Sequence, residues 1–454
     1  MELAFFGATQ TVTGSRYWLA GDAGRLLVDC GLFQGYKHLR LKNWARLPFD
    51  PASLDAVLLT HAHLDHSGYL PLLVKQGFKG PIYGTRATID LCRILLPDSG
   101  HLQEEQAEFA NRHGFSHHSP ALPLYTERDA NECLKYFRPI SFGETFEPAS
   151  GMRAQYSRAG HLLGAASIRV ESKSKSVLFS GDLGRPADPL MHAPDAPPPA
   201  DYVIVESTYG DRRHPAADPL AELGDAIRRT SERRGIVVIP TFAVGRAQLL
   251  LLLIARLKAA QRIPDIPVYL DSPMAIDATE LLMRHAAEHR LSAAEAATVG
   301  SIARLVRTAE ESKALDRIRE PAIILAASGM ATGGRVVHHL KMFVTEPRNM
   351  ILFSGFQAGG TRGASLVAGA RELRMHGETF PVRAEVCQLQ AASAHADADE
   401  IIAWLRQLRA PPRRVFVTHG ESGASDTLRQ RLQSELGWTA SVPEYRDEVQ
   451  LGPH

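Results

Sequence analysis

The chain reads as an α/β protein in which two sheets covered by helices are interrupted by a second α/β domain. Three observations carry that reading. Short apolar runs end repeatedly in polar groups. Glycine and proline punctuate the first half at strand spacing. The character then changes past Tyr202–Glu206, where long helical patterns alternate with single buried strands.

Composition narrows the class. The chain has 454 residues, too many for one hydrophobic core, with 44% hydrophobic and 22% charged residues, as in ordinary globular proteins. A net charge of +1 gives no global attraction to nucleic acid or anionic membrane, so a polyanion must be met locally. The four cysteines, Cys30, Cys92, Cys133 and Cys387, form no CxxC pair. No secretion signal is evident, so reduced thiols and a cytoplasmic location are expected. The most apolar segment, around Leu249–Leu253, is too short to span a bilayer, and no membrane partner is expected.

In chain order, residues 2–6, 15–19 and 25–29 read as strands, and 56–59 as a buried strand. Residues 85–113 carry helical periodicity that breaks at 96–100, where Pro97 and Gly100 fall. Residues 126–137 read as helix and 141–146 as strand. Further strands follow at 152–157, 166–170 and 177–180. Six prolines between Pro186 and Pro199 mark a loop or linker. Helices are expected at 216–232, 245–260, 276–290, 292–299 and 300–313, with strands 236–240, 268–270 and 323–326 between them, the pattern of a parallel sheet. Strands at 350–354 and 383–389, helix 398–409, strand 414–418, helix 426–435 and strand 448–451 complete the chain. His61 and His419 share one form, a ligand at a strand end. The chain therefore divides into a first domain of residues 1–208 and 380–454, with residues 209–379 inserted.

The chemistry concentrates in Thr60-His61-Ala62-His63-Leu64-Asp65-His66. Three imidazoles and a carboxylate directly after a buried strand are donors for a borderline metal. His161 lies between Gly160 and Gly164, Asp182 follows strand 177–180, and His419 follows strand 414–418. Seven donors exceed one tetrahedral site. Two ions are expected: His61, His63 and His161 at one, Asp65, His66 and His419 at the other, and Asp182 between. An imidazole-rich set without thiolate makes zinc the default, and manganese suits the same donors. Asp29 is equally a turn former or a partner of the site.

The HxHxDH run followed by single His, Asp and His resembles the metallo-β-lactamase superfamily, in its β-CASP branch of RNA-processing nucleases. The resemblance implies an αββα sandwich with an inserted β-CASP domain. It matches Glu206 in Val205-Glu206-Ser207-Thr208 to the family's acidic motif A, His395 in Ser393-Ala394-His395 to motif B, and His419 to motif C. A histidine at motif C points toward RNA rather than DNA. The implied activity is metal-dependent hydrolysis of single-stranded RNA, endonucleolytic or 5′→3′ exonucleolytic, leaving a 5′-phosphate. Asp65, His395 and Glu206 are its expected catalytic residues. Two glycine-rich loops after strands are candidate phosphate cradles, with Ser328, Gly329 and Arg335 in one and Gly355, Phe356, Gln357, Thr361 and Arg362 in the other; Ser393 joins them as a substrate contact. A DNA nuclease and a non-catalytic RNA-processing scaffold are the alternatives, and a homodimer is the default assembly.

Overall fold

The computed structural model describes residues 1–114, 118–173, 175–215, 218–355, 357–389 and 393–452. The chain forms two compact units. Unit 1 comprises Met1–Ala187, Ala193–Arg213 and His395–His454; unit 2 comprises Asp188–His192 and His214–Ala394. The expected return to the first domain was residue 380. Strand Glu385–Leu389, however, pairs in parallel with Met350–Ser354 and belongs to the sheet of unit 2.

Among the described residues, unit 1 holds two seven-stranded sheets. One runs Glu448–Gln450, Glu2–Phe5, Tyr17–Ala20, Arg25–Val28, Ala56–Leu58, Ile82–Thr85, Phe137–Ile140. The other runs Ala440–Ser441, Arg414–Val417, Tyr202–Val205, Lys175–Phe179, Ala166–Ser172, Met152–Arg158, Thr145–Ala149. Strand periodicity explains how they pack. Phe5, Leu26, Leu58, Val177, Phe179, Ile204 and Phe416 meet in one core between the sheets. The alternate residues Leu178, Val203, Val205, Val415 and Val417 face the other way, onto Ile401, Leu405, Leu428 and Leu432 of helices Ala398–Leu405 and Ser422–Leu436. Central strands thus read as continuous apolar runs because both faces are covered.

Three local expectations are corrected. Helix Arg86–His113 runs unbroken through Pro97. Its apolar residues Ile89, Leu91, Cys92, Leu95 and Leu96 are buried ahead of the proline and Ser99 and Gly100 just after it, and burial at about 25 cal/mol per Å² outweighs a local cost of about 3 kcal/mol. The strand expected at 141–146 is two strands, Phe137–Ile140 and Thr145–Ala149, in different sheets. The helix expected over 300–313 is split by Arg304–Leu305, which pairs with Tyr269–Leu270.

Unit 2 carries a six-stranded parallel sheet in the order Arg304–Leu305, Val268–Asp271, Ala322–Ala326, Ile236–Pro240, Met350–Ser354, Glu385–Leu389. It also has a hairpin, Glu372–Met375 with Glu378–Pro381, that the sequence reading did not contain. At the end of Val268–Asp271 the fully buried Asp271 accepts from His339 Nε2 at 2.6 Å, Arg335 Nη1 at 2.6 Å and Ser312 Oγ at 2.5 Å, and His339 Nδ1 donates to Asp316 at 2.8 Å. Burial opposes the charge on Asp271, but these donors outweigh it and hold the carboxyl below its ordinary value; the two carboxylates likewise raise His339 against burial. The depressed carboxyl stabilises the fold above its unfolded value of 3.8 and fails as pH falls through the lowered value. The raised imidazole stabilises below 6.5 and fails as pH rises through the higher one. Asp271→Asn is therefore expected to cost about 3 kcal/mol. The deficit should be greatest between pH 3.8 and 6.5 and shrink on the alkaline side, as read by denaturant unfolding across pH.

No helix among the described residues is long and apolar enough to cross a membrane. Cys30, Cys92, Cys133 and Cys387 are all free thiols.

Candidate metal centre

Every predicted ligand of unit 1 sits just past the carboxyl end of a strand. His61 and His63 follow Ala56–Leu58, and Asp65 and His66 form the short helix Leu64–Ser67. His161 follows Met152–Arg158, Asp182 follows Lys175–Phe179, and His419 follows Arg414–Val417. Two glycines permit this crowding. A Cβ on Gly31 would lie 1.6 Å from the Asp65 carbonyl oxygen, and one on Gly184 would lie 1.9 Å from that of Gly160, next to His161.

The seven side chains converge. One potential ligand atom from each of His61, His63, His161 and Asp182 lies within 4.8 Å of the others, and the same holds for Asp65, His66 and His419. Asp182 divides its oxygens between the two groups. Oδ2 stands 3.4 Å from His61 Nε2 and 3.6 Å from His161 Nε2; Oδ1 stands 3.2 Å from His66 Nε2 and 3.5 Å from His419 Nδ1. His419 Nε2 faces Asp65 Oδ2 at 3.4 Å. His61, His66, His161, Asp182 and His419 are all at most 3% exposed.

The electrostatics are those of a site built for cations. Burial, then the charge of His66, pushes His61 well below the usual imidazole value, and burial takes His63 to about 4. Burial opposes ionisation of Asp182, yet His419, His66 and His61 hold it well below the carboxylate range. The fully buried His61 Nε2 has no hydrogen-bond partner. A neutral imidazole nitrogen left without a proton partner at 0% exposure fits a metal donor and little else. The residues therefore fit a metal centre, with Asp182 within reach of both groups of donors.

Around these side chains runs a network that holds their rings. Asp29 adopts a left-handed φ of +59°, so both weighed roles hold at once. Its Oδ1 accepts Thr60 N at 2.8 Å, and its Oδ2 accepts His66 Nδ1 at 2.7 Å. Thr208 Oγ1 lies 3.1 Å from His419 Nδ1, and Ser15 Oγ lies 3.3 Å from His66 Nε2. Thr60, Thr208 and Ser15 were not singled out from the sequence, because a hydroxyl at a strand end carries no spacing signal.

Glu206 and His395 form a pair beside the ligands. His395 Nδ1 lies 3.1 Å from both Glu206 carboxylate oxygens, and its ring centroid is 4.4 Å from that of His161. Burial would lower His395, but the charge and hydrogen bond of Glu206 raise it. Glu206 also comes within ligand reach of Asp182 and His419. Its oxygens are already used: Oε1 accepts Leu183 N at 2.7 Å and Oε2 accepts Thr208 N at 3.3 Å.

The expected substrate residues lie in unit 2. Gln357 Nε2 donates to Gly329 O at 3.2 Å and Gly363 N to Met330 O at 3.0 Å, joining the two glycine loops. Ser328 Oγ accepts Thr332 N, and Thr361 caps helix Arg362–Val367. Gly355 has φ +106°, and Ser393 is 3% exposed. The arginine heads are turned inward. Arg335 is held by Asp271 and the carbonyls of Val306 and Arg307, and Arg362 by those of Ala331, Thr332 and Arg374. Phe356 lies outside the described residues.

Comparison with known proteins agrees with this geometry. Residues 11–224 match the model described as the metallo-beta-lactamase superfamily, 247–366 the Beta-Casp domain, and 379–443 the Zn-dependent metallo-hydrolase RNA specificity domain. The chain is 39% identical over 429 residues to Ribonuclease TTHA0252 of Thermus thermophilus, covering 93% of each. It is 31% identical to an RNase J-like protein of Methanocaldococcus jannaschii, covering 97% of each. It is 30% identical to Transcription termination factor FttA of the same organism, over 96% of this chain and 70% of that one. A solved structure of a protein of unknown function from Enterococcus faecalis V583 shares the fold, with a TM-score of 0.53 at 14% identity over 99% of both chains.

Proposed function

Since the chain belongs to the metallo-beta-lactamase superfamily and carries its Beta-Casp domain, we propose that it is a metal-dependent ribonuclease that hydrolyses single-stranded RNA to 5′-phosphate products. The observation that carries this reading is the meeting of the seven candidate ligands with His395 and Glu206, which are bonded to one another beside them. Two zinc ions, a cytoplasmic location and a homodimeric state are the finer parts of the proposal.

His61, His63, His161 and Asp182 would hold one ion, and Asp65, His66, His419 and Asp182 the other. When bound, such ions lower the pKa of water and offset charge on phosphate. The protein's own residues supply the rest. Glu206 fixes the His395 ring through Nδ1, and Nε2 is the atom proposed to meet the substrate. Raised above the ordinary imidazole value by Glu206, His395 would hydrogen-bond a non-bridging phosphate oxygen or protonate the departing ribose 3′-oxygen. Water adds to phosphorus, the P–O3′ bond breaks, and a 5′-phosphate and a 3′-hydroxyl result. Asp65, beside His419, completes the acidic wall of the site. In unit 2, Ser328, Gly329, Gly355, Gln357, Thr361 and Ser393 are proposed to contact RNA mainly through backbone, with Arg335 and Arg362 shaping the loops.

The test incubates purified protein with end-labelled single-stranded RNA or DNA, with zinc, manganese or chelator. RNA cleavage that chelator abolishes, with 5′-phosphate ends, is expected. Equal cutting of DNA would transfer the reading to a DNA nuclease, and no cutting of either would leave a scaffold.

A further inference from the structure

Residues 34–46 are Gln-Gly-Tyr-Lys-His-Leu-Arg-Leu-Lys-Asn-Trp-Ala-Arg. They contain Lys37, Arg40, Lys42, Arg46 and His38, and no carboxylate occurs between Asp29 and Asp50. In a chain of net charge +1 this is a local concentration of positive charge. The same stretch exposes Tyr36 by 50%, Leu41 by 55% and Trp44 by 59%. Three large apolar side chains, one of them an indole, are thus left at least half in water within nine positions, a concentration rather than a scatter.

The patch is held in place from beneath. Asn43 is 5% exposed; its Oδ1 accepts Phe33 N at 2.9 Å and its Nδ2 donates to Phe33 O at 2.8 Å. Phe33 is buried, with Arg16 and Lys42 over its ring at 5.3 and 5.2 Å. Lys42 also stands 4.1 Å from the Tyr445 ring, so its charge is used internally. The Tyr36 ring stacks on His38, with centroids 5.7 Å apart and planes at 18°. Among the described residues, no ion pair engages Lys37, Arg40 or Arg46. The segment also starts on the ligand loop: Cys30 N bonds His66 O at 2.7 Å and Leu32 N bonds Leu64 O at 2.8 Å. A strand seated here is therefore tethered to the elements that carry Asp65 and His66.

We propose that Tyr36 and Trp44 form a stacking platform for unpaired bases of single-stranded RNA, with Lys37, Arg40 and Arg46 along its phosphates. Flat rings interleaved with unengaged cations, with no carboxylate among them, suit a polyanion with exposed bases. This deepens the ribonuclease reading by giving unit 1 its own hold on the substrate, and it rests on that reading for the choice of RNA.

Binding of a fluorescent single-stranded RNA of about 16 nucleotides is followed by anisotropy on the metal-loaded full chain in a His395→Ala background. Trp44→Ala and Tyr36→Ala are each expected to weaken binding about 10-fold, whereas Leu122→Ala, at a residue 64% exposed elsewhere, is not. Lys37→Ala with Arg40→Ala should lower the slope of log affinity on log salt by about 1.4. RNA should quench tryptophan fluorescence, and Trp44→Ala should remove that quenching. Unchanged affinity in both aromatic variants overturns the platform. So does sedimentation in which Trp44→Ala turns a dimer into a monomer with RNA affinity kept, which would make the patch a self-contact. If the unsubstituted protein cuts no RNA but the variants still lose binding, the ribonuclease reading falls and the platform stands.

Discussion

Asp182→Asn is expected to strip the protein of metal and to lower RNA cleavage on the order of 10⁴-fold, the scale of removing a central member of a catalytic unit. The side chain is nearly isosteric, so the packing at 2% exposure survives while the charge does not. That charge faces four imidazoles at 3.2 to 3.6 Å, one oxygen toward each half of the ligand set. An amide offers one weak donor oxygen where the carboxylate offers two charged ones, and its NH₂ is repelled by any cation. Metal analysis by emission spectroscopy alongside turnover checks the prediction. Full metal content with wild-type activity would mean that the two halves of the site are independent of Asp182.

His395→Ala should behave in the opposite way, retaining metal while losing about 10²- to 10⁴-fold in kcat. The contrast follows from position. His395 lies against the His161 ring, but its Nδ1 is taken by Glu206 rather than by the ligand cluster. Glu206→Gln is expected to lose less, because an amide oxygen still accepts the Nδ1 proton while the negative charge that raises the imidazole is gone. Single-turnover rates with metal content measured on the same samples read both variants. Metal lost in step with rate in His395→Ala would make His395 a ligand.

These predictions rest on residues that were visible early, for a physical reason. His61, His63, Asp65 and His66 are conspicuous because a buried strand has no use for four coordinating groups at its end, and His161, Asp182 and His419 repeat that form. Asp29 was ambiguous in sequence because one aspartate at a turn satisfies either role; the structure assigns it both, through a left-handed backbone and a bond to His66. Thr60 and Thr208 were illegible, since hydroxyls acquire meaning only when a distant imidazole arrives. The continuity of helix Arg86–His113 is not legible in sequence, because burial of the apolar residues ahead of Pro97 overrides the proline's local propensity. Arg335 looked like a phosphate grip in a glycine loop, and only the tertiary fold reveals Asp271 behind it.

Unit 1 is sewn together from segments that lie far apart along the chain. Strand Arg414–Val417 inserts between Tyr202–Val205 and Ala440–Ser441, and it delivers His419 to partners made some 350 residues earlier, as with Asp65 at a separation of 354. A ribosome must therefore translate past residue 419 before the cluster can close, and a nascent or prematurely terminated chain lacks both the ligand and the strand that aims it. Whatever this centre cuts, it stays incomplete until that strand has been made.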